Sequence, residues 1–165
     1  MNALDAESAY AHLKDAIAAA LADARDHLCV VGVHSGGVWV AERLRRDLHL
    51  NGPTGSLSSA FHRDDYGHRG LPADIKSTQL AFAVDGADIL LVDDILFTGR
   101  TVRAALNEIF DYGRPARVRL AVLIDRGGRE LPVAADFCGL SHPLSADRSF
   151  ALSRDESGRF SLVIE

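Results

Sequence analysis

The stretch Ala87 to Thr101, A-D-I-L-L-V-D-D-I-L-F-T-G-R-T, constrains the fold more than any other part of the chain. Its apolar run suits a strand buried on both faces, over Ala87 to Asp94, that emerges on two carboxylates, Asp93 and Asp94. After a short spacer comes T-G-R-T (Thr98 to Thr101). A helical pattern follows in which Val102, Ala105, Leu106, Ile109 and Phe110 face inward, with Gly113 as C-cap and Pro115 just beyond. A buried strand turning directly into a helix is the unit of a parallel α/β sheet, whose ligands bind beyond the carboxyl ends of the strands.

The same unit recurs along the chain. An opening helix is expected over Ala6 to His27, with Tyr10, Leu13, Ile17, Leu21 and Ala24 on one face. L-C-V-V-G-V (Leu28 to Val33) reads as a buried strand, Gly36 and Gly37 break it, and Val38 to Leu48 resumes a helix through Val40, Leu44 and Leu48, with Trp39 packing it. N-G-P-T-G reads as a turn and Ser56 to Phe61 as a short strand. Val118 to Asp125 is a third strong strand and Ala135 to Gly139 a fourth. The tail reads as a hairpin over about residues 148–165, and no repeat or low-complexity segment interrupts the pattern. At 165 residues the expectation is a single domain over 1–165. The polar stretch of about residues 62–77 is long for a compact domain, which marks it as a functional loop.

Residue chemistry at T-G-R-T points to an anion. A helix N-terminus offers unpaired N–H groups and a positive dipole end, Gly99 lets the backbone approach a phosphate, and both Thr hydroxyls can donate. Asp93 and Asp94 suit a vicinal diol, or a Mg²⁺ ion bound to one. A phosphate cradle beside a diol-reading pair describes a ribose 5-phosphate site. The alternative is plainer: the two acids cap a turn and T-G-R-T starts an ordinary helix.

Charge and cysteine content narrow the class. A net charge of −5 gives no broad basic field for phosphate backbones. Cys29 and Cys138 lie in apolar runs without metal-type spacing and read as reduced core thiols. The N-terminal residues are too acidic and broken for a signal peptide, and no apolar run reaches the roughly 20 residues of a membrane span, so the cytoplasm is the expected location.

The segment V-D-D-I-L-F-T-G-R-T resembles the phosphoribosyl pyrophosphate (PRPP) signature of type I phosphoribosyltransferases. Three blocks in order further resemble the PyrR family of bifunctional pyrimidine operon attenuation proteins and uracil phosphoribosyltransferases. They are F-H-R-D-D (Phe61 to Asp65), Val92 to Leu106, and L-A-V-L-I-D-R-G-G-R-E-L-P-V-A-A-D-F (Leu120 to Phe137), and the resemblance covers about residues 5 to 140. It implies a parallel sheet flanked by helices with a flexible hood loop, conversion of uracil and PRPP to UMP and diphosphate, Mg²⁺ as cofactor, and a homo-oligomer.

For the site, the resemblance implies that Asp93 and Asp94 hold the ribose, and the metal indirectly through PRPP, with Arg63 as a further catalytic candidate. Thr98, Gly99, Arg100 and Thr101 would bind the 5-phosphate. His34, Ser35, Gly36 and Gly37 match the pyrophosphate loop and would act through backbone N–H groups, and His34 has either a catalytic or a loop-packing role. Phe97, Ile124, Asp125 and Arg126 would meet the base, and Arg69 and Lys76 would reach pyrophosphate from the hood. Purine-type relatives carry an Asp where this chain has Phe97, which cannot exchange a proton, so a pyrimidine is favoured.

Three regions depart from the family, one being the C-terminal hairpin, which matches it only in being strand-like. The pyrophosphate loop reads H-S-G-G where better-known members have K-T-R-G. The RNA-binding members have His and Arg where this chain has Gly128 and Ala134, which leaves Arg126 and Arg129 as the local basic residues for a pyrimidine-operon leader RNA. The alternatives to the uracil enzyme are therefore a UMP-sensing RNA-binding attenuator with vestigial catalysis, and a purine phosphoribosyltransferase.

Overall fold

The computed structural model describes residues 4–58 and 77–165. The expected hood loop, with Arg63, Arg69 and Lys76 and the F-H-R-D-D block, lies outside the described residues apart from Ser77.

A six-stranded sheet forms in the order β3-β2-β1-β4-β5-β6. Its strands are β1 (Cys29–Val33), β2 (Thr54–Leu57), β3 (Gln79–Leu80), β4 (Asp88–Leu96), β5 (Arg117–Asp125) and β6 (Phe137–Ser141). All neighbours are parallel except β2 and β3, whose antiparallel pairing sets Gly55 opposite Leu80. The central strands are apolar on both faces, and alternate residues feed two cores. Leu90, Val92, Ala121 and Leu123 face helices α1 (Ala6–Leu21) and α2 (Gly36–Asp47). Ile89, Leu91, Leu120 and Val122 face α3 (Arg100–Tyr112) through Val102, Ala105 and Ile109. The mostly parallel α/β class expected from the sequence is the one observed.

Several element limits differ from the sequence expectation. Helix α1 stops at Leu21 and a 3₁₀ turn covers Ala22–Ala24, where the expected helix ran to His27. Beyond Leu21 no residue before Leu28 is buried, and the N–H groups of His27 and Leu28 both bond back to the Ala24 carbonyl. Helix α2 begins at Gly36, two residues earlier than expected, because the glycine pair packs on β4 and does not merely end β1. Strand β2 starts at Thr54, inside the expected turn. Strand β4 runs on to Leu96, so Asp93 and Asp94 lie within it and not at its end. Strand β6 starts two residues late: the Asp136 carboxylate accepts the Leu120 N–H at 2.8 Å, which occupies the edge just before the ladder. Phe110, expected inward, is 44% exposed under the Arg114 guanidinium.

The chain ends in an antiparallel pair, β7 (Phe150–Arg154) and β8 (Phe160–Ile164), which packs on α1. Phe160 and Leu162 are buried, and the Phe160 ring meets Tyr10 edge to face at 5.7 Å. The Glu7 carboxylate ties the pair down, accepting two bonds of 2.7 Å from Arg43 and one of 2.7 Å from the Phe160 N–H.

Candidate functional site

Strands β1, β4 and β5 deliver their carboxyl ends to one edge, and there the chain places Asp93 and Asp94 against the start of α2. Asp93 is buried, and its Oδ1 accepts the Asp94 N–H at 3.0 Å. Asp94 Oδ1 accepts the Ile95 N–H at 2.9 Å. The glycine pair makes this approach feasible. A Cβ on Gly36 would fall well inside 3.0 Å of Asp94 Oδ2, and one on Gly37 would lie 2.5 Å from the Val92 carbonyl oxygen. Both glycines are thus required by packing on β4, a role the sequence alone did not reveal.

Helix α2 starts against this pair, and α3 follows the carboxyl end of β4 after the turn Phe97 to Gly99. Helix α2 starts after Ser35 and α3 after Gly99; neither has a side-chain cap or an acidic residue in its first turn. The Asp94 carboxylate packs on Gly36 at the α2 start, and Thr98 Oγ1 takes one N–H at the α3 start; the other first-turn N–H groups are those a phosphate could use. Gly99 takes the left-handed conformation at φ +94°, and a Cβ there would meet the Val133 side chain at 3.2 Å. Thr98 Oγ1 accepts the Arg100 N–H at 3.2 Å, and the Thr98 carbonyl accepts from Glu130 and Leu131. The Arg100 guanidinium reaches Glu130 at 3.0 Å across an exposed surface, a pair worth little to stability. His34 donates its N–H to the Leu57 carbonyl at 2.9 Å, which fixes the start of the loop into α2.

The residues expected around the base gather beyond β5. Ile124 is fully buried beneath them. Asp125 Oδ1 accepts the Gly127 N–H at 2.9 Å and Oδ2 meets Arg129 Nη2 at 2.6 Å. Burial raises the Asp125 pKa, but these two donors outweigh it and hold the carboxyl below its ordinary value. Arg129 also donates to the carbonyls of Phe97 and Val133. Arg126 is 5% exposed, with its guanidinium carbon 3.8 Å from the Phe97 ring centroid. Of the two arginines expected to face RNA, Arg126 is buried over the Phe97 ring, and Arg129, partly exposed, is paired with the Asp125 carboxylate.

Other sequence expectations resolve simply. Burial pushes the Cys29 and Cys138 thiols above the usual range, in keeping with inert core positions. Among the described residues no group of three His, Cys, Asp or Glu side chains is placed to hold a metal. A cleft of about 610 Å³ lies between α2 and β1–β3, lined by Glu42, Arg45, Ser56 and Gln79 among others; of the sequence-predicted site residues, His34 lines it. Loop residues His142, Leu144 and Ser145, which bond to the backbone or side chain of Asp125 and Arg126, were missed; nothing in their spacing marks them.

Comparison with known proteins gives a consistent picture. The phosphoribosyl transferase domain model matches residues 4–150. Bifunctional protein PyrR of Ralstonia nicotianae is 54% identical over 129 residues, covering 78% of this chain and 74% of that one. The protein of the same name from Nitrosococcus oceani is 48% identical over 140 residues, covering 84% and 79%. Among solved structures, a Bacillus anthracis hypoxanthine-guanine phosphoribosyltransferase superposes with a TM-score of 0.65 at 19% identity, covering 87% of this chain and 82% of that one, a likeness of fold.

Proposed function

The chain belongs to the phosphoribosyl transferase domain family and, within it, to the PyrR group, and from that premise we propose that it converts uracil and PRPP to UMP and diphosphate. The observation that carries this reading is the packing of the α2 start, at Gly36 and Gly37, on Asp93 and Asp94, with α3 beginning just beyond the same strand: a frame that suits a phosphorylated ribose.

In the reaction the N1–C1 bond forms as the bond from C1 to diphosphate oxygen breaks. The N1 proton passes to solvent and the electron pair leaves on diphosphate. Positive charge builds on the ribose ring, so the carboxylates of Asp93 and Asp94, accepting from its hydroxyls, act where charge develops. Backbone N–H groups of His34 to Gly37 would hold the diphosphate, and Thr98 to Thr101 the 5-phosphate. Phe97 would form an apolar wall to the base, and backbone groups of Ile124 to Gly127 would read its polar edge. Arg63, Arg69 and Lys76 remain candidates for closure over the substrate.

Mg²⁺ suits the donor set as a guest of the substrate. Two carboxylates, with no third ligand grouped with them among the described residues, match its habit of binding through one or two acids and substrate phosphates. When bound it supplies charge neutralisation of the leaving diphosphate, and Asp93 and Asp94 would hold it through the ribose.

We place the protein in the cytoplasm as a single homo-oligomerising domain; among the described residues no helix is long and apolar enough to cross a membrane. Replacing Asp93 and Asp94 together by Asn tests the ribose site. UMP formation should disappear while the melting curve stays cooperative, and unchanged turnover would contradict the assignment.

A second reading is favoured by the relatives' name, which is bifunctional. A pyrimidine-operon leader RNA would be the second ligand. With Arg126 buried and Arg129 spent on Asp125, it would have to be met by other residues. A gel shift with that leader, with and without UMP, tests it: a UMP-dependent complex supports this reading, and none contradicts it.

A further inference from the structure

Arg126 is an unusual neighbour for an aromatic ring. Its side chain is almost wholly buried, yet no carboxylate among the described residues pairs with it. The guanidinium carbon lies 3.8 Å from the Phe97 ring centroid, Nη2 donates to the Ser145 carbonyl at 3.0 Å, and Nε is buried without a partner among the described residues. Desolvating a cation is costly, and an apolar side chain could fill the same volume without that cost. The ring face is therefore the main compensation for the charge.

The main chain holds Arg126 from two further directions. Its N–H donates to the Leu96 carbonyl and its carbonyl accepts from Leu144, both at 3.0 Å. One edge of the Phe97 ring abuts Gly128, where a Cβ would fall inside 3.0 Å of the ring, and Gly128 sits at φ +75°. The Phe97 carbonyl is taken by Arg129. The ring is thus clamped between Arg126 and Gly128, and through Ser145 and Leu144 the clamp reaches the segment that leads into β7.

We propose that Arg126 is a positioning residue for the base, holding the Phe97 ring as a fixed wall of the base site and coupling that wall to residues 142–149. This rests on the placement of the base against Phe97 proposed above. It also gives the C-terminal segment a task at the site, since its carbonyl at Ser145 orients the guanidinium. Because Arg126 acts on the wall and not on the phosphate cradle, its loss should separate the two halves of nucleotide binding.

Equilibrium binding of UMP and of ribose 5-phosphate, measured by calorimetry, provides the test without requiring turnover. Arg126→Met should weaken UMP about tenfold, the size of one lost aromatic contact, and ribose 5-phosphate by less than about twofold. Phe97→Leu should give the same split, and the double variant should bind UMP no more weakly than Phe97→Leu alone, since both changes remove one wall. Equal losses for both ligands, unchanged UMP affinity, or additive effects would overturn the proposal. If Arg126→Met does not fold, Arg126→Lys keeps a cation over the ring but loses the planar fork, and should lose about threefold on UMP alone; an equal loss on both ligands again overturns it. Wild-type protein that prefers IMP or GMP to UMP contradicts the uracil reading, and the Arg126 proposal is then decided by the same ratio measured with that nucleotide.

Discussion

The carboxylate of Asp94 occupies the space where a side chain on Gly36 would begin. One step along, Gly37 lies against the Val92 carbonyl and the Asp93 backbone. The loop expected to hold diphosphate and the acids expected to hold ribose are therefore one packed unit.

Alanine at these glycines should have different consequences. Gly36→Ala meets a side chain that can rotate, so the protein should fold while PRPP affinity falls at least about tenfold from a displaced Asp94. Gly37→Ala meets backbone, and should lower stability by about 2 kcal/mol, or several degrees in Tm. Thermal melting and PRPP titration distinguish them; equal stability for both variants would contradict the packing argument.

Gly99 is required for a different reason. At φ +94° a side chain is strained by about 1 kcal/mol or more, and Val133 closes the space above it. Gly99→Ala should turn the start of α3 and weaken ribose 5-phosphate binding several-fold. Binding as tight as wild type would show that α3 does not carry the phosphate.

Glu7 anchors the C-terminal strands. The bidentate bond from Arg43, and after it the Phe160 N–H, hold its carboxyl below the ordinary glutamate value against the opposing effect of burial. A depressed folded pKa gives stability that is present above the unfolded value, about 4.3, and lost as pH falls through the folded one. Glu7→Ala should therefore cost about 2 kcal/mol near neutrality, with the gap to wild type shrinking below about pH 4. Melting curves across pH 3 to 8 check this, and a gap that widened in acid would contradict it.

The limits of the sequence expectation follow from where each signal resides. Val30, Leu90 and Leu123 announce buried strands because the apolar run is local and continuous. Gly36 and Gly37 read as a strand break because their reason for being glycine is β4, distant in sequence and adjacent only through the β1–β4 pairing. Arg126 follows a strand end and carries charge, so it reads as a contact for base or RNA; its burial depends on the Phe97 ring and on Ser145, and neither contact has a periodic signature. Strand β3 is two residues long, too short for alternation to register. Phe110 adjoins inward Ile109 near the end of α3, where one residue of rotation decides between core and solvent.

Purified protein incubated with PRPP and Mg²⁺ and offered uracil, hypoxanthine and guanine together tests the central claim most directly. The predicted result is UMP and diphosphate in equal amounts, with no IMP or GMP. Formation of either purine nucleotide in preference to UMP, or no nucleotide from any base, would contradict it.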